Sequence, residues 1–391
     1  MNLFLACGLI FLLALLASWQ LGRLRFPAVT SYLLLGILIG PYILRLVPDN
    51  LIKATDLVGY FVLSLIAFSL GENFLWREFR RIGREVVVIS LAAVLAVLIL
   101  VSLALWLIGQ ELSTAIILGA IATATAPMTT VMVIREYRAK GPFTTALLDI
   151  VAIDDAWGII AFAITVAIAK LLTSPLNVGN PLILASAEAF REIFGALILG
   201  LILGVLLSIL SRYVRGHTIS LIYTLGFILV TTGISLHLKF SPLLANMTLG
   251  AAVINLTRKH LFFEVLHRID WPFYLLFFVL CGASLQIPFL KELSLLGIIY
   301  VVARILGKYV GVYLGGQISH AEVKVKRYLG FGLIPQAGVA LGLAIIAKAE
   351  LPSIGNLVFT TIIATTVIFE LIGPFGTRFA ITKAEEMGKA T

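Results

Sequence analysis

Apolar residues run through this chain in long stretches, separated by short segments that carry nearly all of its charge. A hydrocarbon core about 30 Å thick takes roughly 20 helical residues to cross. Runs of about that length, bounded by charge, Pro or Gly, fall at residues 2–21, 28–44, 57–75, 86–109, 112–134, 143–169, 194–210, 219–236, 241–257, 271–287, 293–318, 328–347 and 353–376. The pattern predicts an all-α integral membrane protein of about thirteen transmembrane helices. The first run has no basic leader and no small-residue cleavage site, so it reads as a retained helix rather than a signal sequence.

Two of these runs contain a helix breaker. The fifth holds TATAPMTT (Thr123–Thr130) and the twelfth GLIPQAGVALG (Gly332–Gly342). Pro127 and Pro335 each remove a donor from the helical ladder and crowd the carbonyl four residues back. Unpaired backbone at membrane depth is tolerated only where it is buried in protein or lines a wet cavity. The two breaks also occupy corresponding places in an internal repeat. LRFPAVTSYLLLG (Leu24–Gly36) and LKFSPLLANMTLG (Leu238–Gly250) match at an offset of 214, while Gly71 and Gly282, and the segments starting at Leu118 and Leu329, match at 211. That offset advances the chain by seven spans, an odd number, so the copies must cross the membrane in opposite senses. Spans 1 to 6 and 8 to 13 read as inverted repeats joined by span 7, the organisation of secondary transporters, whose substrate site lies near the midplane between the copies. Half-helix ends there offer partial charges and carbonyls to an ion.

Composition fits this picture, with 60% hydrophobic and 13% charged residues. The net charge of +9 is explained by topology and not by nucleic acid. Loops after odd-numbered spans, with the C-terminal tail, hold 20 of the 29 basic residues, and loops after even-numbered spans hold 7. By the positive-inside rule the N-terminus is outside and the C-terminus cytoplasmic. Cys7 and Cys281 both lie within spans, and no disulfide framework is expected.

The two basic residues left over, Arg304 and Lys308, lie inside span 11, four apart on one helix face. Asp154 and Asp155 interrupt the apolar run of span 6, in VAIDDAWGII (Val151–Ile160). Ionisable groups at the centre of a membrane helix cost about 2.5 to 3.5 kcal/mol on insertion scales, so they usually face the protein interior and work there. The simplest arrangement sets both carboxylates and both cations around the interrupted helices. Adjacent helical residues point about 100° apart, so one aspartate can pair with a cation while the other meets a substrate ion. Burial and a like charge oppose ionisation, and a nearby cation favours it. A carboxylate balanced between the two can exchange a proton for a hard monovalent cation.

These residues are also recognisable as a set. RLRFPAVTSYLLLGILIGP, SPLLANMTLGAAVIN, RILGKYVG, GLIPQAGVALGLA and ELIGP, between Arg23 and Pro374, resemble the monovalent cation:proton antiporter superfamily, and within it the bacterial sodium/proton antiporters with an Asp-Asp motif. The resemblance implies a homodimer with an elevator mechanism in the inner (plasma) membrane. Scaffold helices would occupy residues 1–85 and 214–292, moving core helices 86–170 and 293–380, a linker helix 171–213 and a short cytoplasmic tail 381–391. It places the transported Na⁺ or Li⁺, with K⁺ as the alternative, and the proton on Asp155, with Asp154 as its partner. Lys308 becomes the compensating charge, with Arg304 as its competitor. Thr123, Thr125, Pro127, Pro335 and Gln336 supply backbone or hydroxyl groups at the breaks. Relatives often carry Asp where this chain has Ala126, which leaves carbonyls and hydroxyls as the ligands there. No cofactor is expected; the implied partners are monovalent cations, protons, lipid and a second copy of the chain.

Other groups carry less. Asp149 reads as either a funnel residue or a solvated helix end, Glu72 and Glu370 as structural, and His217, His237, His260, His267 and His320 as loop histidines. An intramembrane aspartyl protease would need its carboxylates on two facing helices and not side by side. A cation channel on the same scaffold would pass ions without a counter-gradient. Gating by a bound nucleotide is not expected, since no GxGxxG follows a strand.

Overall fold

The computed structural model describes residues 2–23, 28–74, 83–173, 181–214, 216–257, 259–285 and 294–388. The first residues of the repeat alignment, Leu24–Pro27, lie outside these. So do the ends of the third and tenth predicted runs, the first residue of the eleventh, residues 174–180 of the linker and the last three residues of the tail. Among the described residues the chain is helical throughout, without strands. The helices are α1 (Leu3–Arg23), α2 (Ala28–Ile39), α3 (Asp49–Lys53), α4 (Thr55–Gly71), α5 (Arg84–Leu107), α6 (Leu112–Ile121), α7 (Pro127–Glu136), α8 (Pro142–Thr173) and α9 (Pro181–Leu210). They continue as α10 (His217–Leu238), α11 (Pro242–Thr257), α12 (Leu261–His267), α13 (Asp270–Ala283), α14 (Ser294–Ile318), α15 (Val323–Gly332), α16 (Gly338–Glu350) and α17 (Pro352–Ala384).

Every predicted run falls on a helix or on a pair of helices flanking a break. Among the described residues seven helices are long and apolar enough to cross a membrane alone, and eight spans result if α12 and α13, bent by 50°, count as one. Several others are shorter than their apolar runs. The second run, for instance, stops being helical at Ile39, because Gly40 and Pro41 follow and the chain turns back, with Arg45 in the left-handed region at φ 54°. The fifth and twelfth runs divide where the breakers stand, into α6 and α7 and into α15 and α16.

The chain forms two compact units: residues 1–55, 82–158 and 275–391 in one, and 56–81 and 159–274 in the other. In the first, α5 and α14 pack at backbone distance. A Cβ on Gly307, Gly311 or Gly315 would stand 2.8, 2.5 or 2.7 Å from the Cα of Val97, Ala93 or Ile89. Glycines four apart give this close approach in a bilayer, where packing rather than water drives association. The contact fixes α14, and with it the neighbouring face that carries Tyr300, Arg304 and Lys308.

The repeat has a geometric counterpart. In the first unit a Cβ on Gly36 would strike the carbonyl of Val279, and one on Gly282 the carbonyl of Leu33. In the second unit a Cβ on Gly71 would strike the carbonyl of Met247, and one on Gly250 that of Phe68. Each glycine thus sits on the carbonyl three residues before its partner glycine. The sequence offset turns one pair into the other, Gly36 into Gly250 and Gly71 into Gly282. The second unit also buries an aromatic group, with Phe68 stacked on Phe263 at 4.8 Å between centroids.

Candidate functional site

Asp154 and Asp155 lie in the middle stretch of α8, at 0% and 1% exposure. One turn on, Gly158 lets the first break come close, since a Cβ there would lie 3.0 Å from the Thr123 hydroxyl. Thr125, in the unwound segment between α6 and α7, holds both carboxylates. Its hydroxyl donates to Asp154 Oδ2, and its backbone N–H donates to Asp155 Oδ1 at 3.2 Å. A helical residue would have committed that N–H to its own ladder. The break is what frees it.

Lys308, fully buried on α14, donates to Asp154 Oδ2 at 2.5 Å and to the carbonyl of Thr123 at 2.6 Å. Of the two cations left open by the sequence, Lys308 is therefore the one paired with Asp154. Arg304, the competing candidate, has carbonyls as its hydrogen-bond partners among the described residues. Its guanidinium donates to Ala122 at 2.8 Å and Ala124 at 2.8 Å in the first break, and to Ile334 at 2.5 Å and Pro335 at 3.3 Å in the second. The planar fork has enough donors to serve both breaks at once, which an ammonium cannot do. Its face lies 4.4 Å from the centroid of Phe369.

The two breaks meet directly. Ala126 N–H donates to the carbonyl of Pro335 at 2.9 Å, and Gln336 Nε2 donates to the carbonyl of Ile121 at 3.0 Å and to the Tyr300 hydroxyl at 3.1 Å. Pro127 is the first residue of α7, where a missing N–H costs nothing, and Pro335 lies in the unwound stretch. Pro127 thus bounds one gap between half-helices and Pro335 lies within the other, and neither kinks a continuous helix. The carbonyls of Ala122, Thr123, Ala124, Ile334 and Pro335 accept from Arg304 or Lys308. At the crossing, Asp154 Oδ1 is buried and has no hydrogen-bond partner among the described residues.

Tyr300, Thr129 and Glu386 were not singled out from the sequence. Tyr300 had a legible signal, since it stands one turn before Arg304 on the face shared with Lys308. Thr129 donates to Glu370, at 3.0 and 3.1 Å from its two oxygens. Glu386 caps α8 from the tail, accepting from the N–H groups of Phe143 and Thr144 at 2.9 and 2.7 Å and from the Thr144 hydroxyl at 2.7 Å. Asp149 is half-buried on α8. Away from these residues, His260 contacts Glu72 at 2.5 Å and His267 contacts Asp270 at 3.3 Å. His217 opens α10, His237 lies in its last turn and His320 follows α14. Among the described residues no group of three or more His, Cys, Asp or Glu side chains is placed to hold a metal.

A family model described as sodium/hydrogen exchanger, transmembrane, matches residues 10–383. The ammonium/H⁺ antiporter subunit AmhT of Alkalihalophilus pseudofirmus is 23% identical over 390 residues, covering 97% of this chain and 96% of that protein. A protein of Methanocaldococcus jannaschii named Probable Na⁺/H⁺ antiporter 3 is 26% identical over 369 residues, 90% of each chain. The solved sodium proton antiporter MjNhaP1 of the same organism, at pH 8, superposes over 100% of both chains with a TM-score of 0.76 at 21% identity.

Proposed function

The chain belongs to the sodium/hydrogen exchanger family and is a multi-pass membrane cation/proton antiporter, and we propose that Asp155 is the group at which proton and cation compete. The observation that carries this reading is the asymmetry of the two aspartates. Asp154 is tied to Lys308 and the Thr125 hydroxyl, while Asp155 accepts one backbone N–H and has no cation within ion-pair distance among the described residues. A carboxylate held that way can release its proton and take a hard cation in its place.

In the cycle, a cation entering from either side displaces the proton of Asp155. Asp154 turns its unbonded oxygen to the ion while Lys308 leaves or shares the other. The carbonyls of Thr123 and of the second break are released to the ion only as far as Lys308 and Arg304 let go of them. The core helices of both repeats carry the loaded site across by an elevator motion against the scaffold helices of a homodimer. The protein sits in the plasma membrane with its N-terminus outside, and its role is pH homeostasis. Na⁺ or Li⁺ is the favoured cargo. Ammonium is the second reading, because the relative named for it matches nearly the whole chain.

The test is purified protein in liposomes with an interior pH dye, given Na⁺, Li⁺, K⁺ and NH₄⁺ in turn. Saturable proton movement opposite to Na⁺ or Li⁺ supports the reading. A cation current down its own gradient, without proton movement, would replace it by a channel.

A further inference from the structure

Glu370 has a different character from the other buried acids. It lies in α17, is fully buried, and has no Lys, Arg or His within ion-pair distance among the described residues. Its hydrogen-bond partner there is a single hydroxyl, that of Thr129, which lies 3.0 and 3.1 Å from its two oxygens. One O–H can donate to one oxygen at a time, so an ionised Glu370 would keep a buried charge with little to meet it, and a proton relieves that cost. The same face of α17 carries two more buried polar groups, Thr366 four residues before and Thr377 seven after, and both hydroxyls are unpartnered. From Thr366 to Thr377 is about 16 Å along the helix axis. Glu370 therefore stands within a stripe of unmet hydroxyls.

It is also joined to the ion site. Thr129 is the third residue of α7, just beyond the first break, so the carboxyl faces the first turn of a ten-residue half-helix whose dipole favours negative charge there. One turn along α17, Gly373 packs on Pro335 of the second break, where a Cβ would lie 2.8 Å from the ring. Of the other titratable groups on neighbouring helices, Arg304 and Tyr300 of α14 reach α17 at Phe369, the next residue. Lys324 of α15 is held at Glu385 and Lys348 of α16 at Phe359, both far along α17. Lys326, Arg327, Tyr328, Glu350, Arg135, Glu136 and Tyr32 complete the set on α15, α16, α7 and α2, while α6 has none.

We propose that Glu370 is a second proton-exchange site of the transport cycle, protonated in the proton-loaded protein and ionised while a cation occupies the crossing of the breaks. This rests on the reading that the cation binds at Asp155. With Asp154, Asp155, Arg304 and Lys308 all charged, the quartet is formally neutral; a proton on Asp155, or a monovalent cation in its place, leaves the same single positive charge in a low-dielectric region, so exchange at Asp155 alone never removes it. Loss of the Glu370 proton cancels that charge. Its O–H bond breaks, the electron pair stays on the carboxylate, and the proton leaves to water on the side where the site is open.

The experiment adds saturating NaCl to the purified, weakly buffered protein and counts the released protons with a pH dye, beside exchange measured in liposomes. The unaltered chain should release two protons per chain. Glu370→Gln, which keeps the side chain's size and its contact with Thr129, should release one and still exchange. Equal release from both proteins, or a single proton from the unaltered chain, would overturn the second site while leaving exchange at Asp155 in place. No release at all from the unaltered chain would overturn that exchange reading as well. Should Glu370→Gln fail to fold, Thr129→Val keeps the carboxyl but removes its donor. It should shift the release of the second proton to higher pH, and an unmoved release would again overturn the proposal.

Discussion

The adjacent aspartates differ in what holds them, and the proposed division of their tasks rests on that difference. Asp154 is bound by an ammonium and a hydroxyl, both drawn to the crossing by the unwinding around Thr125. Asp155 has one backbone donor and is the more available of the two. Asp155→Asn is expected to abolish exchange with the protein still folded, since no carboxylate remains there to trade a proton for an ion. Asp154→Asn should be milder, leaving exchange with weaker cation affinity. Flux in liposomes beside the yield of monodisperse protein checks both, and the opposite ranking would contradict the assignment. Lys308→Ala removes one half of a fully buried pair, a change that typically costs about 3 to 5 kcal/mol. A large fall in melting temperature is its expected signature, and an unchanged one would count against the pair. Much of this was legible, because charges inside apolar runs are costly enough to stand out. What the sequence could not decide was which cation meets Asp154, since Arg304 and Lys308 share one helix face. The number of donors settled it: a fork suits four carbonyls, and a point charge suits one carboxylate.

At the scale of the element, helix breaks were readable from Pro127 and Pro335, but their form was not. Pro127 begins a half-helix, so the gap lies before it, in Ala122 to Ala126, where Arg304, Lys308, the two aspartates and the carbonyl of Pro335 hold the backbone open. Replacing Pro127 by Ala restores a donor and lets a helix close across the gap. Transport should then fall more than protein abundance does, whereas equal losses would assign the proline to folding. The glycines of α14 were visible only as a four-residue spacing, and their partner helix could not be read from it. Even one added methyl at Gly311 meets backbone at 2.5 Å, so Gly311→Ala must force α5 and α14 apart. Overpacking of this sort typically costs about 1 to 3 kcal/mol, to be read as a lower melting temperature, and an unchanged value would show the contact to be looser. Glu386 had no sequence signal at all, because its partners, the first N–H groups of α8, are some 240 residues away along the chain. Loss of such a cap usually costs about 0.5 to 2 kcal/mol, and Glu386→Ala should destabilise by that order. Beside it, the hydrogen bond from Lys324 holds the exposed Glu385 carboxyl below its ordinary range. That contribution is present at neutral pH and is lost as pH falls through the lowered value, and exposure keeps it small.

For the whole molecule, the length of the apolar runs, the asymmetry of basic loops and the repeat offset specified a membrane transporter before any coordinates. The matching glycine pairs Gly36 with Gly282 and Gly71 with Gly250 give that repeat a physical form, since each crossing needs two residues without side chains. Helices shorter than their apolar runs could not be foreseen, because hydrophobicity continues past the point where Gly40 and Pro41 end the hydrogen-bond ladder. If Glu370 adds a second proton, exchange carries net charge, and an imposed membrane potential should change the flux. A flux indifferent to potential would limit the cycle to Asp155 alone. The most direct test of the central claim, one site shared by proton and cation, is the half-saturating Na⁺ concentration measured in liposomes across a range of pH. Where the proton occupies Asp155, that concentration should rise about tenfold for each unit by which pH falls, and about a hundredfold where Glu370 gives up its proton as well, as linkage between coupled ligands requires. A value that stays constant over two such units, with transport still proceeding, would contradict it.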